Sequence, residues 1–559
     1  MPLPIRAIAA PALVTLAALA GCASPASGPA SAPTPARRDA YVVVPPSGPR
    51  EQTPDQQVHH VLDRLGFGPR PGDVERVREL GVDRWIALQL APDRIDDRKT
   101  DAFVASAYPA YHLATEDLVE SAQAVQQAVR RRARDLAQKG DSAGRRDARA
   151  EALRADPALR EEARRTRRVV ADAQAAKLAR AVASERQLQE VMTDFWENHF
   201  SVYSGKGLTR LFIPSYDRDV IRPRALGRFR DLLGAVAKSP AMLFYLDQAR
   251  SMVDSTHAPL RGGRSRRLAA PRRPRGLNEN YARELMELHT LGVDGGYTQH
   301  DVIEVARALT GWTMNAREGG TFEFRPALHD ADAKTVLGHR MPAARGIEDG
   351  EEVLDLLARS PATAHHIARK LAVRFVSDDP PPALVERAAR TFLDTDGDIR
   401  ETVRTIVTSP EFFSRSAYRA KVKSPFELVA SALRATGASP DSTPRTARAV
   451  ASLGAPIFGR QSPDGWPETG DAWMNAGAIL DRINFGVALA AGRLPGASPA
   501  RTAELERLRS APRAEQADAV VDALLGGEAS PATREILLRG ESPLEMVGLA
   551  LGAPEFQRR

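Results

Sequence analysis

Residues 276–313, GLNENYARELMELHTLGVDGGYTQHDVIEVARALTGWT, constrain the chain most, because they encode two consecutive helices and the turn between them. In the first, Tyr281, Leu285, Met286 and Leu288 recur at helical spacing and are expected to face a core. Asn280, Glu284 and Glu287 stand at i, i+4 and i+7, so they form one polar stripe on the other side. Asn278 is placed to cap the start, and Gly292 to end the helix in a left-handed turn. Asp294, Gly295 and Gly296 reverse the chain. Thr298 with Asp301 has the form of a capping box and opens a second helix through Leu309.

The remainder belongs to the same class. The chain has 559 residues, enough for a large core, and only 6% of them are aromatic, while Ala, Arg, Leu and Glu abound. The expected fold is mainly α: a multi-helix globular domain with a small inserted β-hairpin and a projecting charged helical hairpin. A net charge of +7 is modest for this size, and no basic stripe is interleaved with aromatics, so nucleic acid is not an expected partner.

The N-terminus carries an address. Arg6 gives a short positive region, residues 7–20 an apolar one, and Leu19-Ala20-Gly21-Cys22 closes it. This resembles the lipobox of bacterial lipoproteins, which implies cleavage before Cys22, a diacylglyceryl group on its sulfur, and the membrane as a partner through that lipid. The apolar run is too short to span a bilayer as a mature helix. Cys22 is the one cysteine in the chain, so internal disulfides and cysteine-based zinc sites are excluded. Ala23 and Ser24 follow, with no aspartate beside Cys22. By analogy with Gram-negative sorting, that favours the outer membrane.

The expected organisation is a lipoprotein signal peptide over 1–21, a Pro/Ser/Ala-rich tether over 22–53, a helical domain over 54–495 and C-terminal helices over 496–559. Residues 114–186 are rich in Arg, Ala, Glu and Gln and read as two charged helices joined by a turn at 140–144, a solvated spacer or a partner-docking arm. Residues 261–275 hold seven arginines and no acid, and their prolines and glycines make a basic loop that fits solvent, lipid headgroups or phosphates. Alternation over 321–324 and 335–337 predicts one β-hairpin across 321–340, with His329, Asp330 and Lys334 in its loop. Asp394, Asp396 and Asp398 fail the calcium-loop spacing, and Asp398 with Glu401 reads better as a helix cap. Ser409-Pro410-Glu411 predicts another helix start, and Trp466 between turn residues is expected to plug the core.

Seven segments together resemble one family. They are residues 60–68 (HVLDRLGFG), 195–200 (FWENHF), 276–313, His329-Asp330 with Lys334-Thr335, 397–400 (GDIR), 409–412 (SPEF) and 465–467 (GWP). The chain is identified through them as similar to the bacterial domain-of-unknown-function family 1800, over about residues 58–492. The resemblance implies an exported, mostly helical protein, and it assigns no reaction. Genes of that family often neighbour those of the exported domain-of-unknown-function family 1501, which makes such a protein an expected partner. The charged arm and the basic loop are longer here than the family requires.

Absences narrow the chemistry. There is no G-x-S-x-G elbow, H-E-x-x-H helix, P-loop or dinucleotide fingerprint. Glu284 and Glu287 are the candidate general acid/base groups, with His199, which continues the apolar stripe of residues 188–199 and is equally a satisfied core histidine. His60, Arg64, Asn198, Asn278, Asn280 and Arg283 are the candidate ligand-binding neighbours, and the sequence names neither metal nor cofactor. The competing structural reading pairs Glu284 and Glu287 with Arg64, Arg283 or Arg307. Two functions follow: an assembly or scaffold factor that binds an exported partner, or an envelope enzyme, a carboxylate- or metal-dependent hydrolase, at the Glu284/Glu287 stripe.

Overall fold

The computed structural model describes residues 42–43, 45, 48–138, 145–254, 256–260, 276–315 and 318–559. The leader, Cys22, most of the tether, the 140–144 turn and the basic loop 261–275 lie outside the described residues. The chain is mainly helical, with short antiparallel strand pairs. Among the described residues no helix is long and apolar enough to cross a membrane.

The helix Gln187–His199 runs through the middle of the apolar core. Leu188, Val191, Met192, Phe195 and Trp196 return every three or four residues and are all buried. Each such side chain contributes about 1.5–3 kcal/mol. The indole of Trp196 donates to Ala225 O at 2.9 Å, which satisfies its one polar atom. Helices Pro361–Phe375, Pro382–Asp394 and Ile399–Val407 pack on one another and close another side of the core. Asp398 caps the last of these by accepting from Glu401 N at 3.1 Å. Asp396 forms ion pairs with Arg228 and Arg359. Residues 409–419, where a helix start was expected, form turns, with Ser409 Oγ accepting from Phe412 N.

Two hairpins replace the single one expected over 321–340. Thr321–Phe324 pairs backwards with Trp312–Asn315, and Lys334–Val336 pairs forwards with His339–Met341. Leu337 and Gly338, at φ +51° and +78°, form the tight turn of the second. Such a two-residue turn joins its flanking residues directly and leaves no partner for 321–324. His329, Asp330 and Lys334 are at most 1% exposed, not in an open loop.

Among the described residues the charged arm has three helices, not the two expected: Thr115–Gln138, Arg145–Ala155 and Pro157–Ala183. Its outer part packs on its own small cluster of Val125, Val129, Ala152, Leu159 and Ala163. The end of the third helix belongs to the main core instead, where Ala173, Ala176 and Ala179 are fully buried. Small side chains allow that close approach. The C-terminal helices join the same core through Val520, Val521, Met546, Leu551 and Phe556.

Candidate functional site

The first motif helix is Glu279–Glu287. Asn278 caps it, accepting from Tyr281 N at 3.1 Å and donating to Leu246 O at 2.8 Å, so its side chain is fully used in structure. The regular helix stops five residues before Gly292. His289 N and Leu291 N reach back five residues to Glu284 O and Met286 O, and the Thr290 hydroxyl bonds Leu285 O at 2.7 Å. This widened turn carries His289 into the core, where it is 2% exposed. The second motif helix, Gln299–Ala308, opens on the expected capping box of Thr298 and Asp301.

The polar stripe is half-buried at Glu284 and Glu287 and exposed at Asn280. Glu287 accepts from the Tyr297 hydroxyl at 3.0 Å. Glu284 accepts no side-chain hydrogen bond and forms no ion pair among the described residues. Burial first, and then the charge of Glu287, raise its pKa; Arg283 opposes them and Asp464 adds a smaller push upwards. The arginines that might have locked the stripe are engaged elsewhere. Arg283 donates to Gln299 Oε1, Arg64 to Ala417 O, and Arg307 to Asp330 and Glu304.

His199 is 2% exposed and has two partners. Lys370 Nζ lies 2.9 Å from Nδ1, and His289 O lies 3.2 Å from Nε2. The ammonium donates to Nδ1, so Nε2 carries the hydrogen and donates to the carbonyl. Burial first, and then Lys370, hold the imidazole pKa well below its usual value. His199 is therefore a neutral, satisfied core histidine. Lys370 is itself lowered by burial, and Glu468 and Asp464 oppose that.

His366, Lys370 and Arg374 lie at i, i+4 and i+8 on helix Pro361–Phe375 and make a second polar stripe. Arg374 bridges Asp194 at 3.0 Å, Glu427 at 3.1 Å and Glu468 at 3.4 Å. Lys177 meets Asp194 at 2.8 Å and Glu197 at 2.7 Å, the latter without hydrogen-bond alignment. Burial raises the Glu197 carboxyl well above its ordinary range.

The loop 464–473 closes this region. Asn198 Oδ1 accepts from Trp466 N at 2.6 Å, while its Nδ2 donates to Trp466 O at 2.8 Å and Glu468 Oε1 at 3.0 Å. Asn198 thus fastens the loop. A Cβ at Gly465 would fall 2.2 Å from Asn198 O, so the clamp requires glycine there. Trp466 does not plug the core: it is half-buried, its ring 6.2 Å from that of Trp473, with Arg460 above it at 5.4 Å. A cavity of about 70 Å³ lies among Lys177, Asp194, Glu197, Asn198, Arg374 and Trp473. That is room for about two waters. Arg460 holds Asp464 at 2.9 Å and lowers its pKa together with Ser462, although burial pulls the other way.

Of the expected residues, Glu284, Asn198 and His199 therefore border one polar region, linked through Asp464, Glu468 and Lys370. His60 and Arg64 lie elsewhere. The His60 ring packs 4.4 Å from Phe412 and near Phe413 and Tyr418, with neither nitrogen bonded, and no hydrogen bond or ion pair joins it to Glu284. Among the described residues no group of three or more His, Cys, Asp or Glu is placed to hold a metal ion. Lys177, Lys370, Asp464 and Glu468 were missed. The four-residue spacing of His366, Lys370 and Arg374, on a face distinct from the exposed His365 and Arg369, was the available signal for Lys370. Asp464 and Glu468 flank the Gly465-Trp466-Pro467 motif and share its neighbourhood.

Neither a curated protein nor a solved structure matches the chain with significance. A family described as protein of unknown function (DUF1800) matches residues 60–558, nearly all of the described body, and the chain belongs to that family.

Proposed function

We propose that this protein is a lipid-anchored hydrolase of the bacterial envelope, with Glu284 as general acid and Asp464 as its ionised partner. The lipobox-like sequence ending at Cys22 supports the anchor and the outer-membrane address. One observation carries the chemistry: two neighbouring carboxylates whose surroundings drive their pKa values apart. Glu284 is raised by burial and by acidic neighbours, which outweigh the charge of Arg283, and it has no ion pair among the described residues, while Arg460 pairs with Asp464 and favours its ionised form. A pair separated in this way divides into proton donor and base or charge stabiliser. Trp466 lies two residues beyond Asp464, and Tyr245 is near both carboxylates: burial first, and then Glu284 and Asp464, raise its hydroxyl pKa.

The test is Glu284→Gln, which keeps the shape and removes the acid. In a strain deleted for the gene, the variant is expected to fold and reach the envelope while restoring function at least about 100-fold less well, the usual size of a lost general acid. In labelled wild-type protein the Glu284 carboxyl should titrate above ordinary glutamates, and Asp464→Asn should bring it down. A folded Glu284→Gln protein with full complementation rejects the assignment.

A second reading rests on the arm, whose outer helices hold a small core of their own and expose many arginines. As a docking arm it would bind an exported acidic partner, with proteins of the domain-of-unknown-function family 1501 the first to try. Ser121 hydrogen-bonds Glu162 across the base of the arm, so residues 122–161 can be replaced by a short Gly-Ser turn without disturbing the buried end of the third helix. The shortened protein should keep its fold and lose the partner in envelope pull-downs. Recovery of the same partners would dismiss the arm as a docking element.

A further inference from the structure

A second cavity lies away from the motif helices. It has a volume of about 230 Å³, and Lys423, Ser431, His59, Asp63 and Arg558 are among its walls. The helix Pro425–Ala435 builds it. Its capping box, Ser424 with Glu427, fixes the helix start immediately after Lys423. Ser431 lies nearly two turns further on, and helical side chains lean towards the N-terminus. The two groups therefore meet: Lys423 Nζ is 2.8 Å from Ser431 Oγ, with both residues buried.

Two details separate this pair from an ordinary packed serine. Hydroxyls inside the helices of this protein either donate to a carbonyl one turn back, as Thr166, Thr193, Thr391 and Thr402 do, or reach a partner on another element, as Ser121 reaches Glu162. Ser431 makes no bond to a carbonyl among the described residues, and its one partner is the amine. Lys423 in turn has no carboxylate within ion-pair distance among the described residues. Its ammonium sits over the Phe556 ring at 4.1 Å. Burial is the main influence on the amine and brings its pKa down to about 8; Arg419 and Arg559 act in the same sense, while Asp63 and Glu427 oppose them.

We infer that Ser431 and Lys423 form a serine–lysine nucleophile pair that cleaves a short acyl ester or amide in this cavity. The Ser431 oxygen attacks the carbonyl carbon as its proton passes to the neutral Lys423 amine. The resulting ammonium returns that proton to the departing alcohol or amine as the old C–O or C–N bond breaks, leaving an acyl-serine. Water then attacks the acyl carbon, Lys423 takes a proton from it, and the acid leaves with the serine hydroxyl restored. The volume is below that of a drug-sized pocket, which selects a small acyl group. The guanidinium of Arg558, exposed at the wall and without an ion pair among the described residues, favours a substrate with a negative charge. This site is independent of Glu284, and either can fail without the other.

The test is labelling of the full-length protein by a fluorophosphonate probe, with mass spectrometry to place the adduct. The expected result is an adduct on Ser431 whose rate of formation rises with pH through a midpoint near 8. Ser431→Ala and Lys423→Met should abolish it, and Glu284→Gln should leave it unchanged. Ser431→Cys, which keeps a nucleophile of similar size, should be alkylated by iodoacetamide at position 431 with dependence on Lys423. If the wild-type protein takes no label at Ser431, or takes it equally in the Lys423→Met variant, the pair is structural and the inference is overturned.

Discussion

Arg307→Met is expected to destabilise the protein by about 3–5 kcal/mol, the cost of removing one partner from a buried ion pair. The Arg307 side chain is 7% exposed and holds Asp330 through two nitrogens, at 2.7 and 3.2 Å, with Glu304 at 2.7 Å. Asp330 is completely buried, so its carboxylate would lose its main counter-charge where water cannot replace it. The rest of the network depends on the same geometry. Thr310 Oγ1 accepts from Asp330 N at 2.9 Å, and Lys334 joins Asp330 O, Asp332 O and Asp349 at 2.7, 2.9 and 2.8 Å. The His329 ring closes it between Thr310 O and Asp349. Urea unfolding with an unchanged slope would measure the loss. Replacing Glu304, Arg307 and Asp330 together by apolar residues of similar volume should recover much of it, because no orphaned charge is left. A single-variant loss below about 1 kcal/mol, the size of an exposed pair, would mean that water reaches these groups.

That network shows where local reading stops. A cap is settled within three or four residues, so Asn278, Thr298 with Asp301, and Asp398 could be assigned from their spacing, and each does what its spacing implies. Periodicity likewise gave the buried stripe of residues 188–199. Neither rule says what a face meets. The stripe at Glu284 was expected to meet His60 and Arg64, yet those residues pack beneath Phe412 and Ala417, brought there by a turn more than 340 residues later in the chain. The pairing of 321–324 failed for a similar reason. Alternation identifies a strand, while the positive φ at Leu337 and Gly338 chooses its neighbour. Polar residues between strands usually lie at the surface, so sequence alone puts His329, Asp330 and Lys334 in a loop. A complete set of partners from the second motif helix made burial affordable here. The charged arm misled through its composition: the run AQAAKLARAVA looks solvated by charge, but its alanines are what admit the helix to the core.

Glu427→Gln should remove about 3 kcal/mol at neutral pH and flatten the acid limb of the stability curve. Glu427 lies between Arg374 at 3.1 Å and Arg559 at 2.8 Å, and its other oxygen accepts from Ser424 N at 2.8 Å. Burial alone would raise this carboxyl. The two guanidiniums, the capping bond and Lys421 outweigh it and bring the pKa from 4.5 in the unfolded chain to about 2 in the folded one. The unfolded state therefore binds the proton more readily. The stabilisation is complete above pH 4.5, declines as pH falls below that value, and is gone once pH has passed through about 2. Glutamine cannot titrate, so the wild-type and variant curves should lie furthest apart above pH 4.5 and converge towards pH 2. Arg374 retains Asp194 and Glu468 in the variant, which limits the additional cost of the unbalanced guanidiniums. Unfolding free energies measured across this range decide the matter. A constant gap down to pH 2 would mean that the lost energy is packing and hydrogen bonding, whereas a gap that closes assigns it to the charge on Glu427.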